Sequence, residues 1–375
     1  MTVAIDMVTT NLESGTKTYN INFCESLNNY KTKEKIFVFI TKDYLDKIDI
    51  NQNSNITYLV KPSLLSNIFF RIFWMQFILP FELKILKVDK LFSPMNLAPL
   101  CLKLFNIKLV LALHSNLPWI HFSKMPGNVI RNYLTKLLMK FSINFCDKLI
   151  VASNFAKDEI IRLLKIKKKK VISIYLGVDK KYLDLSNKKF YLENFDYKNY
   201  ILSVISCAKY HNIIKLLEGF KLLKKENKIK LRFIFVLQVL DQKYFDEIKN
   251  FVSNNFDESE IIFFHNLNRK YLVNLYGNAN FYIFSSSCEV FGFTSLEAMS
   301  QGCPVLISEK SALPEINLNA VDYFNPDKEY EIKDRMSKML NDNKHKQDII
   351  KKGNIHYKKF IWSKTVSETM DVLIN

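Results

Sequence analysis

Two glutamates, Glu289 and Glu297, stand eight positions apart in the stretch EVFGFTSLE, which runs on into AMSQGCPVLIS. Thr294 has the residue type of a helix N-cap. Glu297, three residues later, completes a capping box, so the pattern predicts a helix with Thr294 as its N-cap. Gly302 closes that helix, and Pro304 precedes a buried strand over 305–308. A glycine-containing loop that runs into a helix presents backbone N–H groups and the positive end of the helix dipole, which suits an anion. A carboxylate on each side of such a loop can hold sugar hydroxyls. Together these features describe a pocket for a nucleotide sugar.

The elements that position this segment follow from the rest of the chain. Strand and helix patterns alternate throughout, which argues for parallel sheets with helical crossovers. In the first half, strands are expected at 3–6, 36–40, 90–92, 108–113, 148–152 and 171–174, and helices at 17–27, 67–79, 128–145 and 155–164. Residues 180–199 are polar and without period, and read as a linker. A second series has strands at 200–205, 231–237, 261–264, 281–284 and 305–307, separated by helices at 212–225, 241–250, 269–277 and 295–301. Two doubly wound α/β domains in tandem bind ligands at the carboxyl ends of their strands.

The glutamate segment resembles the Glu-x7-Glu motif of retaining glycosyltransferases with the GT-B fold, family 4, the group 1 transferases. YGNANFYIFSSS (276–287) resembles the strand that leads into the motif, and SALPEI (311–316) the loop after the next strand. Phe360, Trp362 and Lys364 are similar to the F-x-W-x-K start of the final helix, and SNFAKDEIIRLLKI…VISIYLGVD (153–179) to the end of the N-terminal domain. The likeness covers nearly the whole chain and is strongest from about 148 to 362. It implies two Rossmann-like domains facing a cleft: 1–185 on the acceptor side and 186–358 on the nucleotide-sugar side. Residues 359–375 would form a C-terminal helix returning to the first domain.

The resemblance also assigns roles. Glu289 corresponds to the glutamate that contacts the transferred sugar, with a plain surface glutamate as the alternative. Glu297 corresponds to the one that holds the ribose hydroxyls, with a capping role as the alternative or in addition. Phe291, Gly292, Phe293 and Thr294 would turn their amides to the donor phosphates, and Gly292 permits close approach. His114, in LVLALHSNLPW, resembles the histidine that reaches the donor sugar, with Ser115 where the family often has Asp; a structural histidine is the alternative. Gly15, in LESGTKTYN, resembles the first glycine-rich turn, with Ser14 in place of a second glycine. The family commonly clamps the diphosphate with Arg and Lys five apart; here the two positions read Ser206 and His211. Lys209, assisted by a His211 made cationic by the diphosphate, is the expected replacement. No enzymatic nucleophile is evident. The family is thought to use a front-face route in which the leaving phosphate takes the acceptor proton, with charge stabilisation as the protein's main contribution.

Composition narrows the partners. No cofactor or metal is expected: no Asp-x-Asp sits at a strand end, and no GxxxxGK[ST] loop is present. The six cysteines are scattered and read as reduced thiols. The formal charge of +17 is uneven: residues 51–170 hold 19 Lys/Arg against 5 Asp/Glu, whereas 251–350 hold 9 against 14. No nucleic-acid module is recognisable. The basic region also contains Ile68, Phe69, Phe70, Ile72, Phe73 and Trp74 around Arg71, and apolar plus basic favours an anionic membrane surface, with a core helix as the alternative. The apolar run 64–86 is too interrupted to span a bilayer, and the first residues read as a strand, not a signal peptide. The expectation is a cytoplasmic protein, peripheral on the inner face of the membrane. It would move a sugar from a nucleotide-diphosphate donor to a lipid-linked saccharide in O-antigen or capsule assembly. A sugar-nucleotide epimerase and a non-catalytic scaffold of a polysaccharide-assembly complex remain the alternatives.

Overall fold

The computed structural model describes residues 1–9, 15–46, 48, 54–179, 182–183, 190–193, 195–226 and 230–375. Ser14 and much of the expected linker lie outside them. Among the described residues two wholly parallel sheets form. The first has the order β3-β2-β1-β4-β5-β6-β7: β1 Thr2–Asp6, β2 Lys35–Thr41, β3 Ile56–Lys61, β4 Lys90–Ser93, β5 Lys108–Leu113, β6 Lys148–Val151 and β7 Val171–Ser173. The second has the order β10-β9-β8-β11-β12-β13: β8 Tyr200–Cys207, β9 Arg232–Val239, β10 Ile261–His265, β11 Phe281–Phe284, β12 Val305–Ser308 and β13 Asp322–Phe324. Strands covered on both faces must be apolar on both. Accordingly Val3, Ala4 and Ile5 in β1, Phe281 to Phe284 in β11 and Val305 to Ile307 in β12 are all buried.

In each sheet the order reverses once, between β1 and β4 and between β8 and β11. The carboxyl ends of strands at such a reversal are where doubly wound sheets hold ligands. The loops after β8 and β11 carry His211 and Glu289 respectively.

The chain divides into two compact units: Met1–Asn116, Tyr133–Gly177 and Phe360–Asn375 form one, and Leu117–Asn132 and Val178–Lys359 the other. The first thus ends at Gly177 rather than at 185, and residues 117–132 go with the second. Within the first unit the final helix, Trp362–Ile374, packs against helix Gly15–Asn28. Its Trp362, Val366, Met370 and Leu373 are buried, each contributing about 1.5–3 kcal/mol relative to exposure. Thr365 Oγ1 donates to Tyr175 O at 2.8 Å. A Cβ on Gly177 would come within 2.4 Å of the Trp362 nitrogen, so only glycine admits the returning chain there.

The expected helix 67–79 is longer and broken in phase. Asn67 caps it, its Oδ1 accepting from Phe69 N at 2.9 Å. Ile68–Phe73 is α-helical, Trp74–Ile78 is a π turn, and Leu79–Ile85 is α-helical again. Pro80 has no N–H to offer the Gln76 carbonyl and so disrupts regular α-helical bonding there. The Cys101 thiol reaches that carbonyl instead, at 3.8 Å. No helix among the described residues is long and apolar enough to cross a membrane.

Candidate active site

The loop after β11 and the turn after β8 are laced together before either presents a side chain. Asn212 adopts a left-handed φ of 51°, and its Nδ2 donates to Ser285 O (3.0 Å) and Ser287 Oγ (2.9 Å). Ser285 Oγ donates to His211 O, and both Oγ and N of Ser287 donate to Tyr210 O, each at 2.9 Å. This lacing sets Nε2 of His211 3.8 Å from Oε1 of Glu289. The backbone of Glu289 is fixed by the loop after β12: its N–H donates to Ser311 Oγ at 2.9 Å, and its carbonyl accepts from Ala312 N at 3.2 Å.

Burial governs the charge of both groups. The Glu289 side chain retains 21% exposure, and burial pushes its carboxyl up to about 7 against the pull of the Ser286 hydroxyl. His211 is 6% exposed, its Nδ1 is buried without a partner, and burial pulls it down to about 3. Burial therefore favours the neutral imidazole at His211, and a cation there would depend on the neighbouring diphosphate. Lys209 belongs to the same short turn, Lys209–His211, but its ammonium rests 3.1 Å from Glu247 on an exposed face. Ser206 is the penultimate residue of β8, half-buried and in register with Gln238.

The predicted capping box does not form. The helix is Phe293–Ser300, its N-cap is Gly292 with φ of 91°, and no side chain caps it. The left-handed φ selects glycine, and so does space: a Cβ would lie 2.6 Å from Leu313 Cδ2. Thr294, one residue inside the helix, uses its Oγ1 to accept from the Tyr282 hydroxyl at 2.7 Å. Ser295 anchors the first turn by donating to Gly292 O (2.9 Å) and Asn317 Oδ1 (2.7 Å). Phe291 is buried and its ring meets that of Phe293 at 5.2 Å, so two aromatics flank the glycine. A helix start with no side-chain cap keeps its dipole end available to an anionic ligand.

Glu297 sits one turn further on, 6% exposed, and accepts from the Tyr276 hydroxyl at 3.4 Å. Burial pushes its carboxyl up to about 7, while Arg269 pulls it down and Asp179 pushes it up. Tyr182 also hydrogen-bonds it, and Arg269 and Asp179 pair with each other. Sequence reasoning missed this surround, since residues 179, 182, 269 and 276 share no spacing with 297. Ser311 and Asn212 were missed as well. The only sequence signal for Asn212 is that Asn favours the left-handed conformation.

His114 and Gly15 belong to the first unit. His114 follows β5 and is held by Asn96, whose Oδ1 accepts from His114 N at 2.6 Å, and by the Tyr19 ring at 4.5 Å. It hydrogen-bonds the Pro94 carbonyl, and burial pulls it down to about 4. Its Nε2 is buried without a partner. With Nδ1–H on Pro94 O, that Nε2 carries a lone pair and can accept from a hydroxyl. Gly15 is the first residue of helix Gly15–Asn28, and among the described residues a Cβ there would meet nothing within 4 Å.

The chain is similar to known proteins along most of its length. Residues 186–356 match the profile described as Glycosyl transferases group 1, and residues 15–182 the one described as Glycosyltransferase Family 4. The O-antigen chain mannosyltransferase RfbU of Salmonella typhimurium is 24% identical over 238 residues, covering 61% of this chain and 64% of that protein. O-antigen chain mannosyltransferase B of Escherichia coli is 25% identical over 243 residues, covering 64% and 63%. The matches thus span slightly under two thirds of these relatives. Sucrose-phosphate synthase from Thermosynechococcus elongatus superposes with a TM-score of 0.75 at 16% identity, covering 100% of this chain and 98% of that one. HepE of Anabaena, solved with UDP and glucose, gives 0.73 at 14% identity, covering 100% and 99%.

Proposed function

Because the chain belongs to the group 1 glycosyltransferases of family 4, with the GT-B fold, we propose that it transfers a sugar from a nucleotide-diphosphate donor to a glycan, with retention at C1. The observation that carries this reading is the pair Glu289 and Glu297 at either end of the uncapped helix start at Gly292. The amides at that start would face the diphosphate, Glu297 the ribose and Glu289 the transferred sugar. In the first unit, taken by itself, the lone pair on His114 Nε2 can accept from a sugar hydroxyl. The leaving phosphate takes the acceptor proton, and no metal takes part.

The names of the relatives support a mannosyl group and a role in bacterial surface polysaccharide such as O-antigen. The basic, apolar-rich first half supports a lipid-linked acceptor at the inner face of the cytoplasmic membrane, with the protein peripheral to it. Lys209 completes the phosphate contacts in this reading. Its exposed pair with Glu247 is worth at most about 1 kcal/mol, so a diphosphate can compete for it.

The test is transfer of radiolabel from GDP-, UDP- and dTDP-sugars into lipid extracted with a membrane fraction, with and without EDTA. Label in the lipid from one donor, unchanged by EDTA, is the expected result. Ser206 and a neutral His211 favour one other reading, a scaffold without activity. Heat on mixing with nucleoside diphosphates separates the two, since a scaffold that has lost the pocket gives none.

A further inference from the structure

Residues 68–85 carry a stripe that neither the core nor the candidate site uses. Phe69, Phe73, Phe77, Phe81 and Ile85 follow at intervals of four and are 79, 56, 62, 58 and 79% exposed. Arg71, Met75, Leu79 and Leu83 follow at the same interval and are buried. An ideal α-helix turns about 100° per residue, so each step of four drifts by about 40°. Over four steps the drift is about 160°, which would carry Ile85 nearly opposite Phe69. The π turn Trp74–Ile78 bonds i to i+5 and so adds one residue, setting later positions back by about 100°. About 60° of drift remains, and the stripe keeps to one face.

We infer that this π turn phases Phe69, Phe73, Phe77, Phe81 and Ile85 into a single apolar face that lies in the interfacial layer of an anionic phospholipid bilayer. The charges support that occupant. Between Lys61 and Glu82 the only ionised side chain is Arg71, buried 3.0 Å from Asp6. Glu82 is taken by Lys61 at 2.6 Å and by Trp74 Nε1 at 3.2 Å. Beyond it Lys84, Lys87 and Lys103 are exposed, and Leu104, beside Lys103, is 84% exposed. Phe105 lies against Phe81 at 5.3 Å, and Lys84 Nζ lies 5.6 Å from the Phe105 ring, so the turn Leu102–Phe105 extends the face. Aromatic and aliphatic side chains with lysines at the rim suit the boundary between acyl chains and anionic headgroups. A second copy of the chain would bring the same lysines against each other across a two-fold axis. Gln76 keeps the segment from rolling, its Nε2 donating to Ala98 O and its Oε1 accepting from Leu100 N, both at 3.1 Å. The inference rests on the lipid-linked acceptor for its purpose, though not for its geometry.

The experiment is sedimentation of the full chain with vesicles of phosphatidylcholine, alone or with a quarter phosphatidylglycerol, without donor or acceptor. Binding to the anionic vesicles is expected, weakening as salt rises. The double variant Phe73→Ser/Phe77→Ser should lose at least ~10-fold in affinity with its circular dichroism and melting unchanged, and Lys84→Gln/Lys87→Gln should flatten the salt dependence. Tryptophan placed singly at 69, 77 and 85 should be quenched to a similar extent by brominated lipid, after subtraction of the parent signal. No binding of the parent to anionic vesicles, or full binding by the Phe73→Ser/Phe77→Ser variant, overturns the inference. So does quenching at one end of the stripe only, or loss of a dimer in place of vesicle binding. Transfer that fails while vesicle binding persists overturns the acceptor reading alone.

Discussion

Oε1 of Glu289 lies 3.8 Å from Nε2 of His211, just beyond hydrogen-bond reach, and neither group holds the other in a charged state. Where the family commonly has a cationic clamp this chain has the Ser206 hydroxyl and the His211 ring, and beside that ring lies a carboxyl poised to change charge near pH 7. A diphosphate placed beside them would favour protonation of both acid and imidazole.

Donor binding should therefore take up protons. An ionised Glu289 repels a diphosphate, and ionisation predominates above about 7. If the ligand raises that carboxyl by one further pH unit, affinity falls ~5-fold as pH climbs from 6 to 8. Calorimetry with a nucleoside diphosphate in buffers of different ionisation heat measures both the uptake and the affinity. A flat profile for the parent, or the same slope in Glu289→Gln, contradicts this.

Glu297 gives a separate pH signature, in stability. Its folded-state value of about 7 lies above its ordinary 4.5, so its contribution is intact below 4.5 and is lost as pH rises through 7. That interval corresponds to roughly 3 kcal/mol between protonation states. Glu297→Gln should raise Tm by several degrees at pH 8 and change it little at pH 4.5, while weakening donor binding. Equal shifts at the two pH values would mean that the carboxyl is not responsible.

Gly292→Ala should cost both fold and function. A left-handed φ costs an L-residue about 1–2 kcal/mol, and the new methyl would press on Leu313. We expect at least ~10-fold lower kcat/KM, since the loop must shift by a fraction of an ångström at the phosphate site. Gly15→Ala, with nothing within 4 Å of the new methyl among the described residues, should leave Tm unchanged. A wild-type rate in Gly292→Ala would remove the loop from the donor site.

Lys209→Ala should lower donor affinity about 5-fold or more, and Glu247→Gln should raise it, because it frees the ammonium. An unchanged KM in Lys209→Ala assigns the lysine to the surface pair alone.

Much of the two-sheet plan was legible because central parallel strands are unbroken apolar runs, such as FYIF in β11 and VLIS in β12. Edge strands gave less: β3, with burial intermediate at best along its length, and the three-residue β13 present no such run. At the site, the type and spacing of Glu289 and Glu297 were readable. The helix start was not, because Thr294 and Glu297 imitate a capping box while the chain enters through Gly292. Nor could the sequence reveal that His211 is neutral, since that depends on burial among Tyr210, Phe284 and the laced serines. The π turn is a third case: Pro80 announced an interruption but not its phase.

Gly177 against Trp362 has a consequence for biogenesis. The opening portion of the chain is sealed by its last helix, so a ribosome must add the intervening 178–359 before that seal can form. At about 5–20 residues per second the wait is of the order of ten to forty seconds. Through that interval the side of helix Gly15–Asn28 that the final helix covers stays open to water, and termination anywhere upstream yields a product lacking its closing piece.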